Sequence, residues 1–137
     1  MILPSYMANN NTIIIADDDP EDTLFLVDAL NETGQQIELI TISHGEQLLA
    51  TLENAPKPLA IFIDLYLLGK NGKQCLKEIR QRSEFRDVQI IMLAGSYMDS
   101  DANYCLSNGA NYFIKKPNSY NDLVNIVESL CTEILVK

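Results

Sequence analysis

The sequence predicts an α/β fold, a doubly wound sheet of five parallel strands covered by helices on both faces. Two observations carry that prediction. Five short apolar runs alternate with longer segments of helical spacing, the order expected of repeated strand-helix units. Most of the runs are too continuously apolar to expose one face, as befits strands enclosed between two helical layers. A chain of 137 residues, 47% hydrophobic and 21% charged, also has the size and apolar content of one domain with its own core.

The first run, Thr12 to Ala16, leads to Asp19 and Pro20, an N-cap and an N1 proline that open the first helix. The second run is Ile37 to Ile42, after which His44 is placed at the opening of the second helix. Leu59 to Ile63, Val88 to Leu93 and Asn111 to Ile114 follow, mostly rich in Ile, Val or aromatic residues as strands are. Gly109 suits the C-terminal stop of the fourth helix. The last helix is the plainest, with Leu123, Ile126, Val127, Leu130 and Ile134 recurring at helical spacing behind Ser119 and Asp122, a start resembling a capping box. The loops in the 30s, 50s and 80s read as short and polar. Residues 1–10 are expected to be a disordered lead, and 11–137 the folded domain.

Ten Lys and Arg against nineteen Asp and Glu leave a net charge of -9. A surface that acidic repels a phosphate backbone, so nucleic acid is not expected as a direct partner. Cys75, Cys105 and Cys131 are odd in number and include no C-x-x-C pair; they read as reduced core thiols in a cytoplasmic protein. No apolar stretch approaches the roughly 20 residues that cross a bilayer, and the N-terminus lacks a basic region before an apolar one, so neither a membrane nor an export route is expected.

In a parallel sheet of this kind ligands bind at the carboxyl ends of the strands, which directs attention to the residue after each run. The first run ends in Asp17-Asp18-Asp19, the third in Asp64, and the fifth in Lys115-Lys116-Pro117. Asp19 is accounted for as a helix cap. Taken alone, Asp17 and Asp18 fit a helix-entry cluster as well as a cation site, and Asp64 alone fits an ordinary turn. Asp17, Asp18 and Asp64 brought together would raise a pKa and cost stability unless a counter-charge were present. A magnesium ion, which takes one or two carboxylates, a carbonyl and waters, supplies it. Alternation along the fifth strand sends Lys115 and Lys116 to opposite faces, so only one reaches the crevice. Lys116, held extended before proline, is that one, and Lys115 is expected to be solvated.

Ala16-Asp17-Asp18-Asp19-Pro20, Asp64 with Gly72 eight residues on, and Lys116-Pro117 together resemble the receiver domain of bacterial two-component response regulators. The resemblance spans roughly Asn11 to Ile134. It implies the flavodoxin-like (βα)5 fold with strand order 2-1-3-4-5, an order generally associated with that fold. It further implies magnesium-dependent transfer of a phosphoryl group from a histidine kinase, or a phosphotransfer protein, to Asp64. By the same resemblance Asp18 and Asp64 are metal ligands, Asp17 supports the ion through water, and the Tyr66 backbone carbonyl completes the set. Lys116 matches the lysine that contacts the phosphoryl group, and Phe113 the aromatic that moves inward on phosphorylation. The chemistry agrees, since transfer to a carboxylate needs an exposed nucleophile, a metal and a cation on the migrating oxygens.

Two positions depart from the family pattern. Ala94 stands where a Thr or Ser hydroxyl usually bonds the phosphoryl oxygen, with Ser96 two residues late, and Leu67-Leu68 replaces Met-Pro, which costs the loop a proline. The implied function is that of a single-domain response regulator signalling through protein contacts rather than an enzyme, beyond self-directed phosphotransfer and dephosphorylation. Its expected output face is roughly Met98 to Lys137, which would hold a downstream protein or a phosphorylation-dependent homodimer. The alternative favoured by Ala94 is a degenerate receiver acting as a phosphorylation-independent adaptor. An aspartyl phosphatase fits poorly, because it wants an acid two residues after the nucleophile and Tyr66 stands there.

Overall fold

The computed structural model describes residues 11–135. Strands β1 (Thr12–Ala16), β2 (Glu38–Ile42), β3 (Ala60–Asp64), β4 (Gln89–Ala94) and β5 (Tyr112–Lys115) alternate with helices α1 (Pro20–Glu32), α2 (Gly45–Asn54), α3 (Gly72–Arg80), α4 (Asp99–Ser107) and α5 (Tyr120–Leu135). All strand pairs are parallel and their order is β2-β1-β3-β4-β5, the flavodoxin-like order. The lead at 1–10 lies outside the described residues.

Strand alternation divides the core in two. Ile13 and Ile15 of β1, Phe62 of β3 and Ile91 of β4 pack with Leu26 and Leu30 of α1 and Val127 and Leu130 of α5. Their neighbours Ile14, Ile61, Ile63, Ile90 and Met92 face Leu48 of α2, Leu76 and Ile79 of α3 and Cys105 of α4. Side chains that alternate along a strand must go to opposite faces, so these continuous apolar runs serve both layers at once. The three inner strands are almost wholly buried, whereas the outer β2 and β5 are only half covered. All three cysteines are buried free thiols.

The caps fall where the sequence places them. Asp19 Oδ1 accepts the backbone N–H groups of Glu21 and Asp22 at the start of α1, and Ser119 Oγ accepts that of Asp122 at the start of α5. Gly109 follows α4 with φ of 102°, a backbone conformation that a side chain resists. The 80s loop holds more structure than its polarity suggests, for a 3-10 turn at Ser83–Phe85 buries Phe85 in the core.

Candidate functional site

Three strand ends build the site. β1 runs directly into Asp17, which is buried; its backbone N–H donates to Ile42 O at 3.0 Å and its Oδ1 accepts from the Asp19 N–H at 2.9 Å. β3 ends in buried Asp64, whose successor Leu65 donates to Leu93 O at 2.8 Å and so keeps the carboxylate at the edge of the sheet. Asp18 is half-buried between them. Carboxylate oxygens of Asp17, Asp18 and Asp64 all lie within 4.8 Å of one another, a spacing and donor set that suit a hard divalent cation.

The loop after Asp64 is folded back tightly. Leu67 donates its N–H to Asp64 O, and Gly72, at the start of α3, donates to Leu65 O. A Cβ on Gly72 would sit 2.4 Å from Asp64 O, so only glycine permits this approach. Leu67 is buried while Tyr66 and Leu68 are exposed. Although the loop lacks a proline, Leu68 O accepts the Gly45 N–H at 3.0 Å and Glu46 Oε1 accepts the Lys70 N–H at 3.2 Å, tying it to α2.

Lys116 enters from β5. Its backbone N–H donates to Ala94 O at 2.8 Å, and its ammonium lies 3.0 Å from Asp17 Oδ2, 2.8 Å from Asp22 Oδ2 and 3.5 Å from Asp64 Oδ1. Lys115 is exposed, as strand alternation requires. Burial pushes the Asp64 carboxyl up from 3.8 to about 6, partly opposed by the Lys116 charge and reinforced by Asp17. Burial raises Asp17 as well, against the hydrogen bonds from the Asp19 backbone and Lys116. For Lys116, burial works to lower the ammonium's pKa, but hydrogen bonds to Asp22 and Asp17 and the surrounding negative charge outweigh it and raise the value. These shifts describe carboxylates held away from water beside a single ammonium, and a bound divalent cation would favour their ionised forms.

The β4 side of the cleft is differently furnished. Ala94 is fully buried at the strand end, and Ser96 sits on an exposed stretch beyond it. Phe113 packs against the core with its ring edge-to-face on Tyr97, centroids 4.7 Å apart. Two residues of the cleft carry no mark in the sequence: Asp22 in the first turn of α1, which holds Lys116, and Tyr97 after β4, which meets Phe113; nothing near either in the chain points to those partners.

The model of the response regulator receiver domain matches residues 13–128. The chain belongs to the response regulator receiver family. Receiver domains are signalling domains of two-component systems. Response regulator Rcp1 of Synechocystis sp. is 26% identical over 124 residues, which cover 86% of this chain and 84% of that protein. The transcriptional regulatory protein BaeR of Escherichia coli is 33% identical over 122 residues; they cover 89% of this receiver but 48% of BaeR, so the chain spans about half of that relative. The crystal structure of the Mn(2+)-bound form of Rcp1 superposes with a TM-score of 0.81 at 25% identity, covering 89% of this chain and 92% of the other. The phosphorylated cyanobacterial phytochrome response regulator RcpA shares the fold with a TM-score of 0.85, at 24% identity and over 92% and 94% of the two chains. Among the described residues no helix is long and apolar enough to cross a membrane.

Proposed function

We propose that this receiver, residues 11–137, accepts a phosphoryl group on Asp64 from the phosphohistidine of a histidine kinase or phosphotransfer protein, with magnesium as cofactor, and signals through protein contacts. The observation that carries this reading is the convergence of Asp17, Asp18 and Asp64 with the Lys116 ammonium at the carboxyl ends of β1, β3 and β5. Asp18, Asp64 and the Tyr66 backbone carbonyl would hold the ion directly, with Asp17 supporting it through water. The Mn(2+)-bound form of Rcp1 is in keeping with a divalent ion in this fold. When bound, the ion offsets the charge of the crowded carboxylates and polarises the phosphoryl oxygens.

This chain's residues do the rest. An Asp64 carboxylate oxygen attacks phosphorus, forming the acyl phosphate as the P–N bond breaks; the bond pair returns to the imidazole, which takes up a proton. Lys116 meets the charge on the migrating oxygens. Phe113 and the position of Ala94 form the switch, and the face from Met98 to Lys137 holds a downstream protein or a second phosphorylated copy. Neither nucleic acid nor a membrane is a direct partner, and the protein works in the cytoplasm. A phosphorylation-independent adaptor draws support from Ala94 alone, whereas the acidic cluster and Lys116 have no use in it. Incubation with a small phosphodonor and magnesium, followed by intact mass, tests the reading. One phosphoryl group is expected, and an unmodified mass would favour the adaptor.

A further inference from the structure

Lys116 does not rest on Asp64. Its ammonium makes hydrogen bonds to Asp22 Oδ2 at 2.8 Å and Asp17 Oδ2 at 3.0 Å, while Asp64 Oδ1 stands off at 3.5 Å, beyond an ordinary N–H···O bond. An ammonium carries three N–H groups, so two are engaged and one remains for the Asp64 side. We propose that Asp22 is a positioning residue that draws the Lys116 ammonium toward α1 and off Asp64. The acceptor thereby keeps an oxygen free to attack, and the third N–H waits where a phosphoryl oxygen on Asp64 arrives. The proposal rests on Asp64 being the acceptor.

Asp22 is suited to this task by its place. It stands in the first turn of α1, its backbone N–H held by the Asp19 cap, and lies outside the three-carboxylate group that fits a cation. Its carboxylate meets the lysine directly, at 2.8 Å. Without that charge, Asp17 and Asp64 are the anions left beside the ammonium, and attraction draws it onto the acceptor. A direct Lys116–Asp64 bond would draw electron density from the acceptor carboxylate and lower its nucleophilicity.

Asp22→Asn and Asp22→Glu decide the matter, compared with wild type in the rate of phosphorylation by acetyl phosphate at saturating magnesium. The Asn variant is expected to slow roughly fivefold, the scale of one lost ionic contact, with magnesium affinity by calorimetry unchanged and the Glu variant restoring the rate. A crystal structure of the unphosphorylated Asn variant should find Lys116 Nζ within hydrogen-bond distance of Asp64. An unslowed Asn variant, a parallel loss of magnesium affinity, or an ammonium that stays off Asp64 overturns the proposal. If wild-type protein takes no phosphoryl group, the acceptor assignment falls, and the position of Nζ in the variant still decides whether Asp22 places the lysine.

Discussion

The two sides of the cleft differ in how completely they are furnished. On the β1 and β3 side the charged groups stand together: three carboxylates with oxygens within 4.8 Å of one another, and an ammonium beside them. On the β4 side, the strand ends in a buried methyl group at Ala94, and the nearby aromatic, Phe113, is engaged by Tyr97. Receiving a phosphoryl group and responding to it are separate demands made on separate residues. In this chain the charged groups suited to the first stand together, whereas on the other side a buried methyl group occupies the end of β4.

The largest expected effect breaks the comparison on its chemical side. Asp64→Asn should abolish the magnesium-dependent phosphoryl mass gain, since the other buried carboxylate, Asp17, has both oxygens engaged, Oδ1 by the Asp19 N–H and Oδ2 by Lys116. A mass gain persisting in that variant would place the acceptor elsewhere. Lys116→Ala removes a cation aimed at the transferring oxygens, and losses of this kind run to roughly 10²-fold in rate. Quenched-flow or time-resolved mass measurement reads it; a rate within about threefold of wild type would show that the metal alone suffices.

The switch side is sharpened by Ala94→Thr. A hydroxyl there would make a charge-assisted hydrogen bond present only in the phosphorylated state, worth about 1.5–3 kcal/mol, which moves a two-state population tenfold or more. Phosphorylation itself should be unaffected. Amide chemical shifts around Phe113 and Tyr97 on adding a phosphoryl mimic are expected to change more in the Thr variant than in wild type. Equal responses would mean that Ser96 or a backbone amide already does the work of the hydroxyl.

The difference between the two sides also governs what the sequence could reveal. Asp17, Asp18, Asp64 and Lys116 were legible because each follows an apolar run, and strand alternation chose Lys116 over Lys115. The runs themselves marked the strands slightly early: β3 extends to Asp64, β4 to Ala94 and β5 to Lys115, because ladder pairing such as Asp64 with Leu93 and Ala94 with Lys115 is indifferent to side-chain polarity. Partners distant in the chain left no local mark. Asp22 and Lys116 are 94 positions apart. Arg80, which bonds the carbonyls of Phe85, Val88 and Gly109 and the Asn111 side chain beneath β4 and β5, belongs to the same class. Tyr97 is likewise known only through the ring it meets.

The smallest expected effect is the share of the pH dependence of stability that the chemical side contributes. Burial holds the folded Asp64 carboxyl at about 6 against 3.8 for the free group. The folded state therefore binds a proton more readily than the unfolded chain between those values, and stability should fall as pH rises across that window, levelling above it. Asp17, also raised, acts in the same sense. Lys116, raised above 10.5, contributes stability that persists throughout this range and is lost only in strong alkali. Thermal unfolding in a chelator should thus lose a few degrees between pH 4 and pH 6 from this cause. Magnesium should recover them at pH 7, where the carboxylates are ionised, and have little effect at pH 4, where protons compete for the same oxygens. Asp64→Asn removes the main titrating group, so its melting temperature should vary less over the window, whereas Ala94→Thr, on the other side of the cleft, should leave the slope as it is. An Asn variant with the wild-type slope would assign the dependence to Asp17 or to groups outside the site, and the raised acceptor would no longer explain it.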